Sequence, residues 1–182
     1  MDGHKVGMTM GKKLKPVELG RKVSNFTLEG SGGGSISLSD YIGKKVIIFF
    51  YPKDMTTACT QEACDFRDAS EKLGAHNTVI IGISTDDVAR HERFIAKYDL
   101  PYVLLADPEH QVCEQFGVWQ MKKLYGRDYM GIVRSTFLIN EKGVLVEEWR
   151  NIKVKGHVDT VLAAIEAASK PKSKSKAKAE TK

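Results

Sequence analysis

Two apolar runs, Val46 to Tyr51 and Val79 to Ile83, constrain the fold of this chain more than any other feature. Both are nearly unbroken Val, Ile and Phe, with none of the polar alternation of a half-solvated strand. Such runs suit strands buried on both faces. Between them, Ala63, Phe66 and Leu73 recur at helical spacing, so the segment reads strand, helix, strand. Downstream, the pattern predicts a helix over Asp86–Tyr98 with Val88, Ile95 and Tyr98 along one face. It then predicts a short strand over Tyr102–Leu105 and a short helix over Gln111–Phe116. A hairpin of Arg134–Ile139 and Leu145–Trp149 follows around Asn140-Glu141-Lys142-Gly143. The last helix carries a stripe of Val158, Val161, Leu162 and Ile165. Upstream, Val23–Leu28 and Ser35–Leu38 form an N-terminal β-hairpin across Gly30-Ser31-Gly32-Gly33-Gly34, and Ser39-Asp40-Tyr41 a helical turn. The expectation is an α/β fold with a central mixed β-sheet flanked by helices.

A length of 182 residues suits one domain with a sizeable core. Residues 1–15 read as a flexible leader, 16–168 as the domain and 169–182 as a disordered Lys-rich tail. The net charge of +5 sits in that tail: from Lys170 to Lys182 there are six lysines and one glutamate, so the other 169 residues sum to zero. A neutral globule argues against a specific nucleic-acid partner, and the tail reads as a solubilising extension. The glycine run lacks the Lys-Ser/Thr that follows a phosphate-cradling loop. No apolar stretch approaches the roughly 20 residues that cross a bilayer, and the N-terminus has no apolar signal core. The chain is expected to be cytoplasmic, with no membrane association. Three cysteines in such a chain favour redox or catalytic thiols over a disulfide scaffold.

Cys59 and Cys64 lie just after the first apolar run, in Tyr51-Pro52-Lys53-Asp54-Met55-Thr56-Thr57-Ala58-Cys59-Thr60-Gln61-Glu62-Ala63-Cys64. Pro52 suits the turn that ends the strand, because it cannot continue a central ladder. Thr56 or Thr57 suits the helix N-cap. Cys59 then falls near the helix start, where free N–H groups and the positive helix end favour a thiolate. A free thiol, with a pKa of roughly 8.5, is only a few per cent ionised at neutral pH, and only the thiolate attacks. Cys59 and Cys64 have the gap of a zinc pair, but no second ligand pair follows. His4, His76, His91, His110 and His157 are scattered through polar surroundings, so no metal and no cofactor is expected.

Pro52, Thr56 and Cys59 stand in the P-x-x-x-T-x-x-C order of the peroxiredoxins, and the chain resembles that family. Tyr51-Pro52-Lys53-Asp54, Cys64 and Gly131-Ile132-Val133-Arg134-Ser135-Thr136-Phe137 are similar to the bacterioferritin-comigratory-protein (PrxQ-type) branch, with Thr57-Ala58 where many relatives carry Pro-Gly. The resemblance implies a thioredoxin-like fold and a thiol peroxidase. Cys59 would attack a hydroperoxide and become a sulfenic acid. Cys64 would resolve it as an intramolecular disulfide, and a thioredoxin-like reductant would restore both thiols. Thr56 and Arg134 would hold the peroxide and the thiolate, Pro52 would shield the sulfur, and the protein would be a monomer. A redox sensor using the same disulfide as a switch is the alternative; catalytic turnover separates the two.

Each of these residues has a plainer alternative from the residues alone: Thr56 as only a helix cap, Arg134 as a solvent-facing residue at a strand start and Cys64 as an inert core thiol, though Cys64 remains the better resolving candidate. Glu62 accepts from a backbone N–H, binds Arg134 or is plain surface. Cys113, between Val112 and Phe116, reads as core, and Trp119 and Trp149 as packing residues or pocket walls. One geometric constraint needs no family. On an intact helix, residues five apart have Cα atoms roughly 8.7 Å apart, whereas a disulfide needs less than about 7 Å. A bond between Cys59 and Cys64 therefore requires the first turns of the helix to unwind.

Overall fold

The structure, a computed structural model, describes residues 14–168. Residues 1–13 of the expected leader and the whole Lys-rich tail lie outside the described residues. The strands are β1 (Thr27–Gly30), β2 (Gly34–Ser37), β3 (Lys45–Phe50), β4 (Thr78–Ser84), β5 (Val103–Ala106), β6 (Trp119–Leu124), β7 (Arg127–Ile132), β8 (Ser135–Ile139) and β9 (Leu145–Trp149). The helices are α1 (Thr57–Ala75), α2 (Val88–Tyr98), α3 (Gln111–Gln115) and α4 (His157–Ala168), with a 3-10 turn at Leu38–Tyr41. Seven strands form one mixed sheet in the order β2-β1-β5-β4-β3-β8-β9, in which β3, β4 and β5 are parallel and the other pairs antiparallel.

The unbroken apolar runs occupy the centre of this sheet, where side chains alternate between its faces. Val46, Ile48 and Phe50 of β3 point to one face, packing with Phe26, Phe116 and Phe137. Ile47, Phe49 and Tyr51 point to the other, under α1, α2 and α4, with Phe66, Leu73, Phe94, Val161 and Ile165. The second face is tight at Gly82. A Cβ there would stand 2.6 Å from Leu104 and 2.9 Å from Phe49, so the Phe49 ring fits only over a residue without a side chain. That ring stacks on Phe66 of α1 at 4.7 Å and so seats the cysteine helix on the sheet. Leu14, the first described residue, already packs against the first cluster.

Two expectations are corrected, and two features are added. The first strand begins at Thr27, not Val23: β1 finds its partners in β2 and β5 only from Thr27 onward, while the Val23 N–H bonds to the Gly143 carbonyl outside the sheet. The glycine run is not all loop, since Gly30 and Gly34 pair with each other across the hairpin. The α2 face that carries Val88, Ile95 and Tyr98, all half-buried, also holds the fully buried His91 and Phe94. Finally, β6 and β7 form a separate two-stranded hairpin that the apolar pattern does not reveal. Lys122, Lys123, Arg127 and Asp128 interrupt its alternation. Its signal is the two-residue loop Tyr125-Gly126, both residues with positive φ (53° and 77°), which is the geometry of a tight hairpin turn.

Candidate active site

Strand β3 delivers the chain into the site, and strand β8 returns to it. They pair antiparallel with Phe50 opposite Ser135, so Tyr51 and Arg134, the next residues out, share one sheet end. The chain turns at Pro52, Met55 adopts a left-handed φ of 69°, and Thr56 takes the N-cap position of α1 with extended backbone. Cys59 is thus the third helical residue, within the turn whose N–H groups lack intrahelical acceptors. Cys59 is 1% exposed as a residue.

Across 75 residues of sequence, Arg134 reaches Cys59: Nη2 donates to Sγ at 3.5 Å, and Nη1 donates to Oε1 of Glu62 at 2.7 Å. Glu62 lies one helical turn beyond Cys59, on the same face, and the fork of the guanidinium spans both. Glu62 is fully buried and its Oε2 has no partner. Burial pushes its carboxyl up to about 7, against the opposing pull of Arg134. Burial opposes the Arg134 charge, but Glu62 and Cys59 more than offset that and hold the guanidinium protonated. A permanent cation against the sulfur, at a helix N-terminus, places N–H donors around Sγ and around any oxygen bound beside it.

A cavity of about 420 Å³ opens beside Arg134, lined by Pro52, Lys122, Val133 and Arg150 among others. Arg134 touches both this space and the sulfur. Lys122, from the hairpin, donates to the Ile132 carbonyl at 2.9 Å; burial and the neighbouring Arg134 lower its pKa. Beneath the site, His157 Nε2 lies 2.7 Å from Thr136 Oγ1, and burial, then Arg134, pushes that imidazole down to about 4.

The structure brings Cys59, Arg134 and Glu62 together, and places Pro52 on the adjoining cavity. Thr56 holds the cap position without capping: its hydroxyl donates to the Lys53 carbonyl at 2.9 Å, so it tightens the turn instead of bonding the helix. Cys64 is half-buried on the same unbroken helix, and both cysteines are free. Cys113 is core: its thiol is fully buried, its backbone N–H donates to Asp107, and burial pushes the thiol pKa up. His91 and His157 are buried, contrary to the polar surroundings expected of them. Trp119 stacks on His110 and Trp149 packs edge-on against His157. Among the described residues, no three or more His, Cys, Asp or Glu are grouped to hold a metal ion.

The family model described as AhpC/TSA matches residues 19–148. Peroxiredoxin Bcp of Bacillus subtilis is 48% identical over 153 residues, covering 84% of this chain and 98% of the relative. Peroxiredoxin Bcp of Escherichia coli K12 is 40% identical over 149 residues, covering 82% and 96%. A solved structure of the Xanthomonas campestris bacterioferritin comigratory protein, from work on its alkyl peroxide reduction activity in trapped intermediate and ligand complexes, superimposes with a TM-score of 0.76 at 39% identity. It covers 80% of this chain and 92% of that one.

Proposed function

Since this chain belongs to the AhpC/TSA family, in its Bcp/PrxQ peroxiredoxin branch, and is a thiol peroxidase, we propose that Cys59 is the sulfur that meets the peroxide. The thiolate attacks the terminal oxygen of R–O–O–H. An S–O bond forms, the O–O bond breaks, and the leaving RO⁻ takes up a proton as an alcohol. Cys59 is left as a sulfenic acid. The Cys64 thiolate then attacks that sulfur, hydroxide leaves as water, and an intramolecular disulfide remains. A thioredoxin-like dithiol exchanges with it and restores both thiols.

The observation that carries this reading is the Arg134 guanidinium donating to the Cys59 sulfur. Arg134 then stabilises both the thiolate and the charge that develops as the O–O bond lengthens. Thr56, held in the turn by Lys53, and Pro52, on the cavity wall, shape the approach and limit water. Two thiols five residues apart in one chain support closure within a monomer. Three free cysteines suit a reducing compartment and support a cytoplasmic location. No described helix is long and apolar enough to cross a membrane.

Mass spectrometry after one equivalent of hydroperoxide tests the assignment. The wild-type chain is expected to lose two hydrogens in a Cys59–Cys64 bond. Cys64→Ser is expected to gain one oxygen on Cys59 and to fail in turnover with thioredoxin. Oxygen on Cys113, or full recycling of Cys64→Ser, refutes it.

A further inference from the structure

The turn that carries Cys59 is fixed at one residue, Asp54, through all four of its polar atoms. Its N–H donates to Asp86 Oδ2 at 2.7 Å, and its carbonyl accepts from Arg90 Nη2 at 3.4 Å. Its Oδ1 accepts from the Tyr51 hydroxyl at 2.5 Å, and its Oδ2 lies 2.6 Å from His91 Nδ1. Tyr51, Asp54 and His91 have no exposed surface. The far nitrogen of His91, Nε2, lies 2.9 Å from the Leu105 carbonyl, which can only accept, so Nε2 carries a hydrogen. A further hydrogen must then lie between Nδ1 and Oδ2, whichever atom holds it. Burial, and then Asp54, raise the Tyr51 pKa, so its hydroxyl remains the donor. The chain therefore runs Tyr51, Asp54, His91, Leu105 with every polar group satisfied, tying the turn after β3 to α2 and β5.

Resting on the assignment of Cys59 above, we propose that the Asp54–His91 pair is a positioning device for the peroxide step. It holds the turn from Pro52 to Thr56, including the left-handed Met55, in the one conformation that presents Cys59 to Arg134. The turn reaches the reactive helix from an anchor that makes no contact with the reacting atoms. Releasing the anchor lets Met55 relax toward an ordinary φ and shifts the helix start. Displacements of about 1 Å cost up to about 100-fold in rate.

The proton count makes the test specific. In Asp54→Asn, the amide oxygen still accepts from Tyr51 and its NH₂ donates to a neutral Nδ1, so the network stays satisfied without charge. In Asp54→Ala it is gone. Single-turnover oxidation of Cys59 by hydrogen peroxide, in a Cys64→Ser background, is expected to slow by about 10-fold or more in Asp54→Ala and to recover to within about 3-fold in Asp54→Asn. With Cys64 present, excess peroxide partitions the sulfenic acid between disulfide and sulfinic acid. A loosened turn is expected to lower the sulfinic share in Asp54→Ala, which a general loss of stability would not do. Asp86→Ala, at the edge of the network, removes one anchor and is expected to move both readouts the same way, more weakly. It decides the matter if Asp54→Ala does not fold. Wild-type rate and partition in a folded Asp54→Ala, or in Asp86→Ala where it does not fold, overturns the proposal, as does an Asp54→Asn as slow as Asp54→Ala. Absence of sulfenic acid at Cys59 in Cys64→Ser alone would instead overturn the assignment of the sulfur.

Discussion

Substituting Glu62 by glutamine isolates the electrostatics of the site. Glu62 is buried with one oxygen bonded to Arg134 and the other bare, and its carboxyl stands at about 7 against an ordinary 4.5. Between those values the folded chain keeps a proton that the unfolded chain has released. Because the folded value is the raised one, this stabilisation is complete below about pH 4.5 and is lost as pH rises through about 7. The separation is about 2.5 pH units, and at about 1.4 kcal/mol per unit it comes to about 3 kcal/mol. Most of it, about 2–3 kcal/mol, falls between about pH 5 and 8. Glu62→Gln carries no titrating proton there, while its amide oxygen still accepts from Arg134. The assay is urea denaturation of both reduced proteins across that range, taking the difference in unfolding free energy at each pH; all other titrating groups are common and cancel to first order. The wild type is expected to lose about 2–3 kcal/mol relative to Glu62→Gln from the acid to the alkaline end. A flat difference, or one that rises with pH, means that the pull of Arg134 outweighs burial, and the reasoning fails.

Arg134→Leu should slow single-turnover oxidation of Cys59 by about 100-fold or more, because it removes the charge that the O–O cleavage uses. Arg134→Lys should restore little of that rate, since a single ammonium cannot span Glu62 and Cys59 as the fork does; recovery to wild-type rate in stopped-flow traces would contradict the two-point contact. His157, held near 4 against an ordinary 6.5, makes the fold acid-sensitive: its contribution is present above about pH 6.5 and lost as pH falls through about 4. His157→Gln should therefore flatten the acid limb of stability measured by denaturant titration, and an unchanged limb would exclude His157 as its source. Gly82→Ala should destabilise by about 1–3 kcal/mol in urea, with the Phe49 ring displaced from Phe66; a neutral substitution would mean the Leu104 and Phe49 side chains yield freely. In the oxidised protein, amides of residues 57–64 should exchange faster than in the reduced one while those beyond Phe66 stay protected, and equal protection throughout would rule out local unwinding.

Where burial writes itself as periodicity, the sequence is legible. The alternation within Val46–Tyr51 feeds two faces of a central strand, and the stripe of α4 points where its spacing says. The motif around Cys59 and the arginine before β8 were readable as types, because each stands at a fixed offset from a strand end. What the pattern concealed are polar side chains that act as core. His91 faces inward on α2 because Asp54 and the Leu105 carbonyl satisfy both ring nitrogens, so a residue read as polar takes an apolar position. Glu62 could be placed on the Cys59 face from its spacing of three, yet nothing local distinguishes a buried carboxylate from a solvated one; its partner is 72 residues away. The β6–β7 hairpin escapes for a different reason. Its strands pair only with each other, bury only Ile132 at the hairpin base and leave Met121, Leu124 and Tyr125 exposed, so there is too little buried surface to set a period.

The proposed Cys59–Cys64 chemistry asks this fold to be rigid and yielding within a few residues, and the packing of α1 shows how both are met. Before Cys59, Asp54 is fastened by its backbone and its carboxylate. After Cys64, Phe66 stacks on Phe49 and Leu73 is sealed under the sheet, burials worth about 1.5–3 kcal/mol each. Between them the helix buries only Cys59, Glu62 and Ala63, two of them polar or small, and its outer face, with Thr57, Ala58 and Gln61, borders an open groove beside α4. Uncoiling that stretch forfeits a few helical hydrogen bonds, each worth about 1 kcal/mol net, and little apolar contact, with space for the chain to move into. Three long-range polar ties hold the segment: Arg134 on Cys59 and on Glu62, and the Tyr102 hydroxyl on the Ala63 carbonyl at 2.6 Å. The unwinding that a disulfide demands is thus confined to the first turns by what lies on either side of them, and the reduced site reforms against two anchors that have not moved.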